Sequence, residues 1–361
     1  MDKIIKWILV SVVVLFTPYI EAQATSVYPR QIVVNEVNID ILNLYGRDVE
    51  RLRDALINIA DHKVALDYIS RGLGERVIEV AREVERDARG DSIIFEPNAS
   101  EKFRYIPASS GVRVKWDEVY LDAIEVLYAG GGEVRVHTES VPAEIKYDRG
   151  IENYTTLRSS FVTYYNMDNT SRAYNISLAS SSISGVVVRA GERFSFNEVV
   201  GKRTVERGYR VAPVIVKGEL VDGVGGGVCQ VSTTLYNAVT LAGLKSVCKV
   251  AHSMPVNYVE PSRDVTVSEH IDYAFVNDSG EDIYIECVAR ANYIKVNIYG
   301  IRTDEHIEVE TEYEDIDGYR YSTAYLVTTR HGVVLSRSKL RSDKYLLPTP
   351  TPTPTTSSQP N

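Results

Sequence analysis

The chain has 361 residues, 44% hydrophobic and 25% charged, with 40 Lys and Arg against 49 Asp and Glu. These fractions exclude collagen-like, disordered and multi-span membrane classes for the body of the chain, and the length suits two domains that each bury a core. A net charge of -9 argues against nucleic-acid binding, which needs a basic face to release phosphate counterions, and 3 Cys are too few for a disulfide framework.

Lys3 and Lys6 precede an apolar run from Trp7 to Phe16 that only Ser11 interrupts, followed by Pro18 and Ala22-Gln23-Ala24. This is the pattern of a secretory signal, residues 1–24, cleaved after Ala24, and the run is shorter than the roughly 20 apolar residues of a membrane span. No later stretch is long and apolar enough to span, so the expected body is extracytoplasmic without a stable membrane anchor.

Residues 25–150 alternate strand and helix signals. A short β-branched strand falls at 31–34, and Asp48 caps a helix carrying Leu52, Leu56 and Ile59 on one face. A second helix is expected over 75–88, a strand over 92–95, a third helix over 116–127 stopped by Gly130, Gly131 and Gly132, and a strand over 133–138. The polar stretch 142–154 separates this domain from a second one, 151–301, with strands at 186–188, 209–216 and 282–288. Residues 302–347 form a small β-rich extension with strands at 309–313, 324–329 and 332–335. The Pro/Thr/Ser repeat of 348–361 has nothing to bury and reads as an extended spacer or a frayed terminus. The expected fold class is α+β: two domains of mixed helices and mostly antiparallel strands, plus that short extension.

The stretch that carries chemistry is Gly223-Val224-Gly225-Gly226-Gly227-Val228-Cys229-Gln230. Val228, Val231, Leu235, Val239 and Ala242 follow at helical spacing, and Gly243 stands where a C-terminal cap glycine belongs. Cys229 is therefore expected at the start of a buried helix. Unpaired amides and the helix dipole favour an anion there, lowering the thiol pKa, and the same amides with the Gln230 side chain form a candidate oxyanion site. His252 and Asp264 follow, each in a β-prone segment. Cys on a helix, His on a strand and Asp on the next strand is the chain order of transglutaminase-like thiol enzymes, and 227–244 resembles their nucleophile helix.

Plainer readings stand beside this one. Glycines 225, 226 and 227 serve close packing, His252 satisfies buried backbone groups, and Cys229 packs inertly or pairs with Cys248 or Cys287 in an oxidising compartment. No zinc spacing occurs among the His residues, the Glu269-His270-Asp272 group reads as a solvated edge rather than a metal site, and the glycines lack the Lys of a phosphate loop. No metal or cofactor is expected. Arg172 and Arg203 are candidates for binding a substrate carboxylate or for structural ion pairs.

Ser195-Phe196-Asn197, Gly201-Lys202-Arg203-Thr204, Gly208-Tyr209, the run from Gly225 to Ala238, His252-Ser253 and Tyr258 together resemble the VanW domain, named for a protein encoded with type-B vancomycin-resistance genes. The resemblance covers about residues 154–300. It departs at Val265, where the family usually carries Ala after the Asp. Residues 103–150 weakly resemble the peptidoglycan-binding domain that often precedes it. The resemblance implies an exported cell-envelope protein with peptidoglycan or a wall peptide as partner, but no settled activity. Two readings follow: a wall-associated protein whose glycine-rich pocket recognises stem peptide or glycan, and a cysteine amidase or transpeptidase acting on stem peptides.

Overall fold

The computed structural model describes residues 83–348 except 117, 120, 123–131 and 217–218, together with the strands at 32–34 and 37–39. The expected signal segment, the helix from Asp48 and the Pro/Thr tail lie outside the described residues. The architecture is mixed α+β with most described elements β, as the sequence predicts, and the chain divides into two compact units, 1–92 with 107–146 and 93–106 with 147–361.

In the first unit, β1 (Ile32–Val34) pairs antiparallel with β2 (Val37–Ile39) and parallel with a strand at Gly132–Val134. The strand expected over 133–138 is two strands, because the chain leaves the sheet after Val134 and re-enters β structure at Thr138–Val141, which pairs with Gly111–Val114. The helix expected over 75–88 stops earlier. Beyond Val84 the chain bridges instead, with Arg86 paired to Val112 and Arg89 to Ser109.

The strands of the second unit, numbered in continuation, begin with β3 (Ser92–Phe95) and β4 (Phe103–Ile106), which precede β5 (Gly111–Val114), β6 (Gly132–Val134) and β7 (Thr138–Val141) of the first. Its centre is an antiparallel sheet in the order β8 (Thr156–Tyr164), β16 (Tyr293–Gly300), β15 (Ile283–Arg290), β9 (Val187–Val188). Period-two alternation decides what each face meets. Ile285 lies opposite Ile298 and Cys287 opposite Val296, and all four are buried in the main core with α1 (Thr170–Ile183) and α3 (Val228–Leu241). The alternate residues Tyr284, Glu286, Asn297 and Tyr299 face the other way. There Phe95 and Phe103 of the β3–β4 hairpin stack on each other and against Tyr284 and Tyr299, while Lys102 pairs with the buried Glu286 at 2.8 Å. The second face is thus covered by a hairpin that meets its aromatic and polar side chains.

Short α2 (Phe196–Val200) is fixed by Asp272, whose carboxylate accepts from the Ser195 hydroxyl at 2.7 Å and the Asn197 amide at 2.9 Å. Around it β10 (Arg193–Ser195), β14 (Ala274–Val276) and β13 (Lys245–Cys248) form a small sheet. A hairpin of β11 (Val211–Val216) and β12 (Glu219–Val224) leads into the glycine turn and α3. The C-terminal extension is a three-stranded antiparallel sheet, β17 (Glu305–Ile316), β18 (Tyr319–Arg330) and β19 (Val333–Leu346), with strands longer than predicted and within the second compact unit.

α3 is buried from Gln230 to Thr240. Its apolar stripe is joined by Ser232, Thr233, Thr234, Asn237 and Thr240, each satisfied by a hydrogen bond. The glycine turn lets it approach β11: a Cβ on Gly226 would lie 2.5 Å from the Pro213 carbonyl oxygen and 2.6 Å from that of Ala212, and Gly227 holds a left-handed φ of 103°. Gly226→Ala is expected to destabilise the fold by about 1–3 kcal/mol, seen as a lowered thermal midpoint. An unchanged midpoint would mean that this close approach is not a constraint.

Candidate active site

Cys229 occupies the second position of α3, half-buried, on the wall of a cleft of about 1270 Å³ within the second unit. The cleft is also lined by Arg172, Arg203, His252, Tyr258 and the β11–β12 hairpin, where Leu220 is 69% exposed. The three cysteines are free, so Cys229 is not tied up in a disulfide with Cys248 or Cys287.

His252 and Asp264 are not on strands, contrary to the periodicity of their segments. Both lie in irregular chain after β13. Helix side chains supply the hydrogen bonds that a sheet neighbour would have supplied. The Val265 carbonyl accepts from Ser232 and Thr233 at 3.2 Å, the Val265 amide donates to Thr233 Oγ1, and Asn237 grips Arg263 at both its carbonyl and its guanidinium. The helix that presents the thiol thus also anchors the segment that presents the carboxylate.

Asp264 is 1% exposed and His252 7%. Asp264 Oδ2 accepts from both the backbone amide and Nδ1 of His252 at 2.7 Å, which fixes the proton on Nδ1 and leaves Nε2 as the free ring nitrogen. The Cys229 thiol, which donates to the Val267 carbonyl at 3.4 Å, lies close enough to His252 for the two groups to shift each other's titration. Burial alone would lower the imidazole pKa, but the bonds to Asp264 and Cys229 override it and push His252 up to about 9. Burial would likewise raise the Cys229 thiol, yet the His252 bond and charge, with Arg203 nearby, bring it below the ordinary thiol value. The two shifts favour a thiolate–imidazolium pair. By contrast, burial pushes the Cys287 thiol up to about 12.

The remaining candidates are arranged differently from their simplest expectations. The Gln230 side chain is fully buried: its Nε2 donates to Thr163 Oγ1 and the Tyr164 carbonyl, and its Oε1 accepts from Arg172 at 2.6 Å. It therefore has no free donor for an oxyanion. The Val228 and Gln230 amides donate to Gly225 and Gly227 carbonyls, leaving the Cys229 amide as the one of these three without an acceptor among the described residues. Arg203 donates to Asn197 Oδ1 and the Gly201 carbonyl. Neither Arg172 nor Arg203 makes an ion pair among the described residues; both sit on the cleft wall held by neutral oxygens. Gly225 and Gly227 line the cleft, whereas Gly226 faces β11. Among the described residues no grouping of three His, Cys, Asp or Glu is placed to hold a metal ion, and Asp272 is spent on the start of α2.

Sequence reasoning missed Tyr345, buried on β19, whose hydroxyl donates to Asp264 Oδ1 at 2.7 Å and accepts from the Ser262 amide at 2.6 Å. It also missed Tyr258, a cleft phenol that burial and the adjacent Cys229 and Asp264 charges keep protonated. The family motif contains Tyr258; nothing local marks Tyr345.

Residues 171–299 match the family model described as VanW like protein. The chain carries a VanW-like domain. Cys229, His252, Asp264, Arg172 and Arg203 all fall inside it. The uncharacterized protein YoaR of Bacillus subtilis (strain 168) is 38% identical over 197 residues, 54% of this chain and 65% of YoaR. The vancomycin B-type resistance protein VanW of Enterococcus faecalis (strain ATCC 700802 / V583) is 28% identical over 115 residues, 30% of this chain and 42% of that protein. The matched region thus spans less than two thirds of either relative. No solved structure is significantly similar to the chain.

The pKa directions fix a pH dependence of stability. His252 is raised from 6.5 to about 9, so its contribution is complete below pH 6.5 and is lost as pH climbs through about 9. Asp264 is lowered from 3.8 because His252 and Tyr345 outweigh its burial, so its contribution holds above 3.8 and fades as pH falls further. The stability difference between the wild-type protein and Asp264→Asn should therefore be largest between about pH 4 and 6.5 and shrink toward pH 9, measured by denaturant unfolding. A difference constant across that range contradicts the assignment.

Proposed function

We propose that the chain is an exported cell-envelope protein whose VanW-like domain carries out thiol-dependent acyl transfer on peptide amides of peptidoglycan stems. The observation that carries this reading is that Cys229 and His252 line one open cleft while Asp264 bonds the His252 ring at 2.7 Å from behind. The signal-like segment of residues 1–24 supports export.

In this reading the Cys229 thiolate adds to an amide carbonyl carbon, forming a C–S bond while the oxyanion takes the Cys229 amide. His252 Nε2 gives its proton to the departing amine as the C–N bond breaks. A water or a second amine, deprotonated by His252, then displaces the sulfur from the thioester. That yields a carboxylic acid or a new amide and returns the proton to the sulfur–imidazole pair. Asp264 holds the imidazole in the tautomer this requires. Arg172 and Arg203, which pair with no carboxylate among the described residues, line the cleft as contacts for a carboxylate of the peptide.

A second reading, a non-catalytic binding cleft for stem peptide or glycan, is favoured by the saturation of the Gln230 amide, which reduces the oxyanion donors. Two measurements separate them. Iodoacetamide at pH 6 should alkylate Cys229 faster than Cys248 and Cys287, as read by peptide mass spectrometry. With purified stem peptides, amine release should fall by at least about 100-fold in His252→Ala and be abolished in Cys229→Ala. Equal labelling, or retention on cell-wall sacculi with no amine release from any stem peptide, contradicts the enzymatic reading.

A further inference from the structure

The C-terminal extension lies outside the matched family region, yet one of its residues ends at the reactive group. Tyr345 lies on β19, and β19 is attached to the rest of the unit by more than that single side chain. Arg341 donates to the Asp264 carbonyl at 3.1 Å and pairs with Asp343 at 2.6 Å, and the Leu346 amide donates to the Ser253 carbonyl, one residue from His252. The extension thus grips the His252 and Asp264 segments at both backbone and side chain.

We propose that Tyr345 is a positioning residue of the thiol site: its phenol shares the Asp264 carboxylate with His252, so that the sheet of residues 305–346 is a working part of that site rather than a spacer. The phenol is oriented for this task. It accepts from Ser262, which leaves its single hydrogen for Asp264 Oδ1, while Oδ2 is reserved for His252. A carboxylate that donates charge to two partners binds each less tightly than it would bind one. Tyr345 therefore moderates the grip of Asp264 on the imidazolium, which must release its Nε2 proton to a leaving group if the thiol reading of the cleft is right.

Other charged and titratable groups face this pair. Cys229 on α3 lies beside His252, and Arg203 and Arg172 act on Cys229 by charge. Tyr258 is near both Cys229 and Asp264, and Arg341, itself balanced by Asp343, is near Asp264. None of them touches Asp264 Oδ1 among the described residues, so exchanging the phenol isolates its effect.

The test is the pH profile of Cys229 alkylation by iodoacetamide, followed by mass spectrometry on the full chain. This profile reads the sulfur–imidazole pair without any substrate, so failure to find turnover sinks the proposed function and leaves this inference open to the same measurement. In Tyr345→Phe the high-pH inflection that reports His252, near 9 in the wild-type protein, should move up by about one unit. Replacing Tyr345 by 3-fluorotyrosine keeps the shape and strengthens the donor, so it should move the inflection down even if the Phe variant folds poorly. Tyr319→Phe, on the neighbouring strand with its ring against Lys344, is the control and should leave it in place. No shift in the Tyr345 variants, or a downward shift in Tyr345→Phe, overturns the proposal.

Discussion

A carboxylate with 1% exposure is tolerated only where donors replace water, and the Asp264 carboxylate is the constraint around which this domain is built. It receives hydrogen bonds from the His252 amide, the His252 ring and the Tyr345 hydroxyl, each at 2.7 Å. Those donors come from chain far apart in sequence, and each must be delivered accurately for the ionised form to persist. The helix α3 anchors the carboxylate's backbone, the loop after β13 brings the imidazole, and β19 closes the far side. The raised His252 follows from that arrangement, and Cys229, shifted down beside it, lines an open cleft.

The same helix serves two purposes that usually fall to different elements. Its N-terminus presents Cys229 after a glycine turn whose close approach to β11 no side chain would allow. Its polar residues, Ser232, Thr233 and Asn237, replace a missing strand partner for residues 263–265. Buried hydroxyls and amides on a helix are expensive unless they are used, and Ser232, Thr233 and Asn237 each have a partner. That network ties the backbone beside Asp264 to the helix that carries Cys229.

Much of this was legible in the sequence. The spacing of Val228, Val231, Leu235 and Val239 gave the helix and its start, and His252 and Asp264, singled out by their order after Cys229, are bonded to each other. The segments holding His252 and Asp264 looked like strands because β-branched residues such as Val265 and Val267 are buried. Burial has the same signature whether the backbone is paired to a strand or to helix side chains, so periodicity misassigned them. Gln230 looked like an oxyanion donor by its place beside Cys229; Thr163, Tyr164 and Arg172, remote in sequence, consume it instead. The role of Phe95 and Phe103 as a cover for the central sheet, and that of Tyr345, were invisible for the same reason: each depends on a contact across a long stretch of chain that no local pattern encodes.

The central claim is that His252 carries a proton at neutral pH because a thiolate and a carboxylate flank it. An NMR titration of the His252 ring carbons between pH 5 and 10.5 tests this most directly. The account predicts a protonated ring through pH 7.5 with its transition near 9, falling substantially when Cys229 is replaced by Ala. A ring that is neutral by pH 7, or whose transition ignores the loss of Cys229, would contradict it.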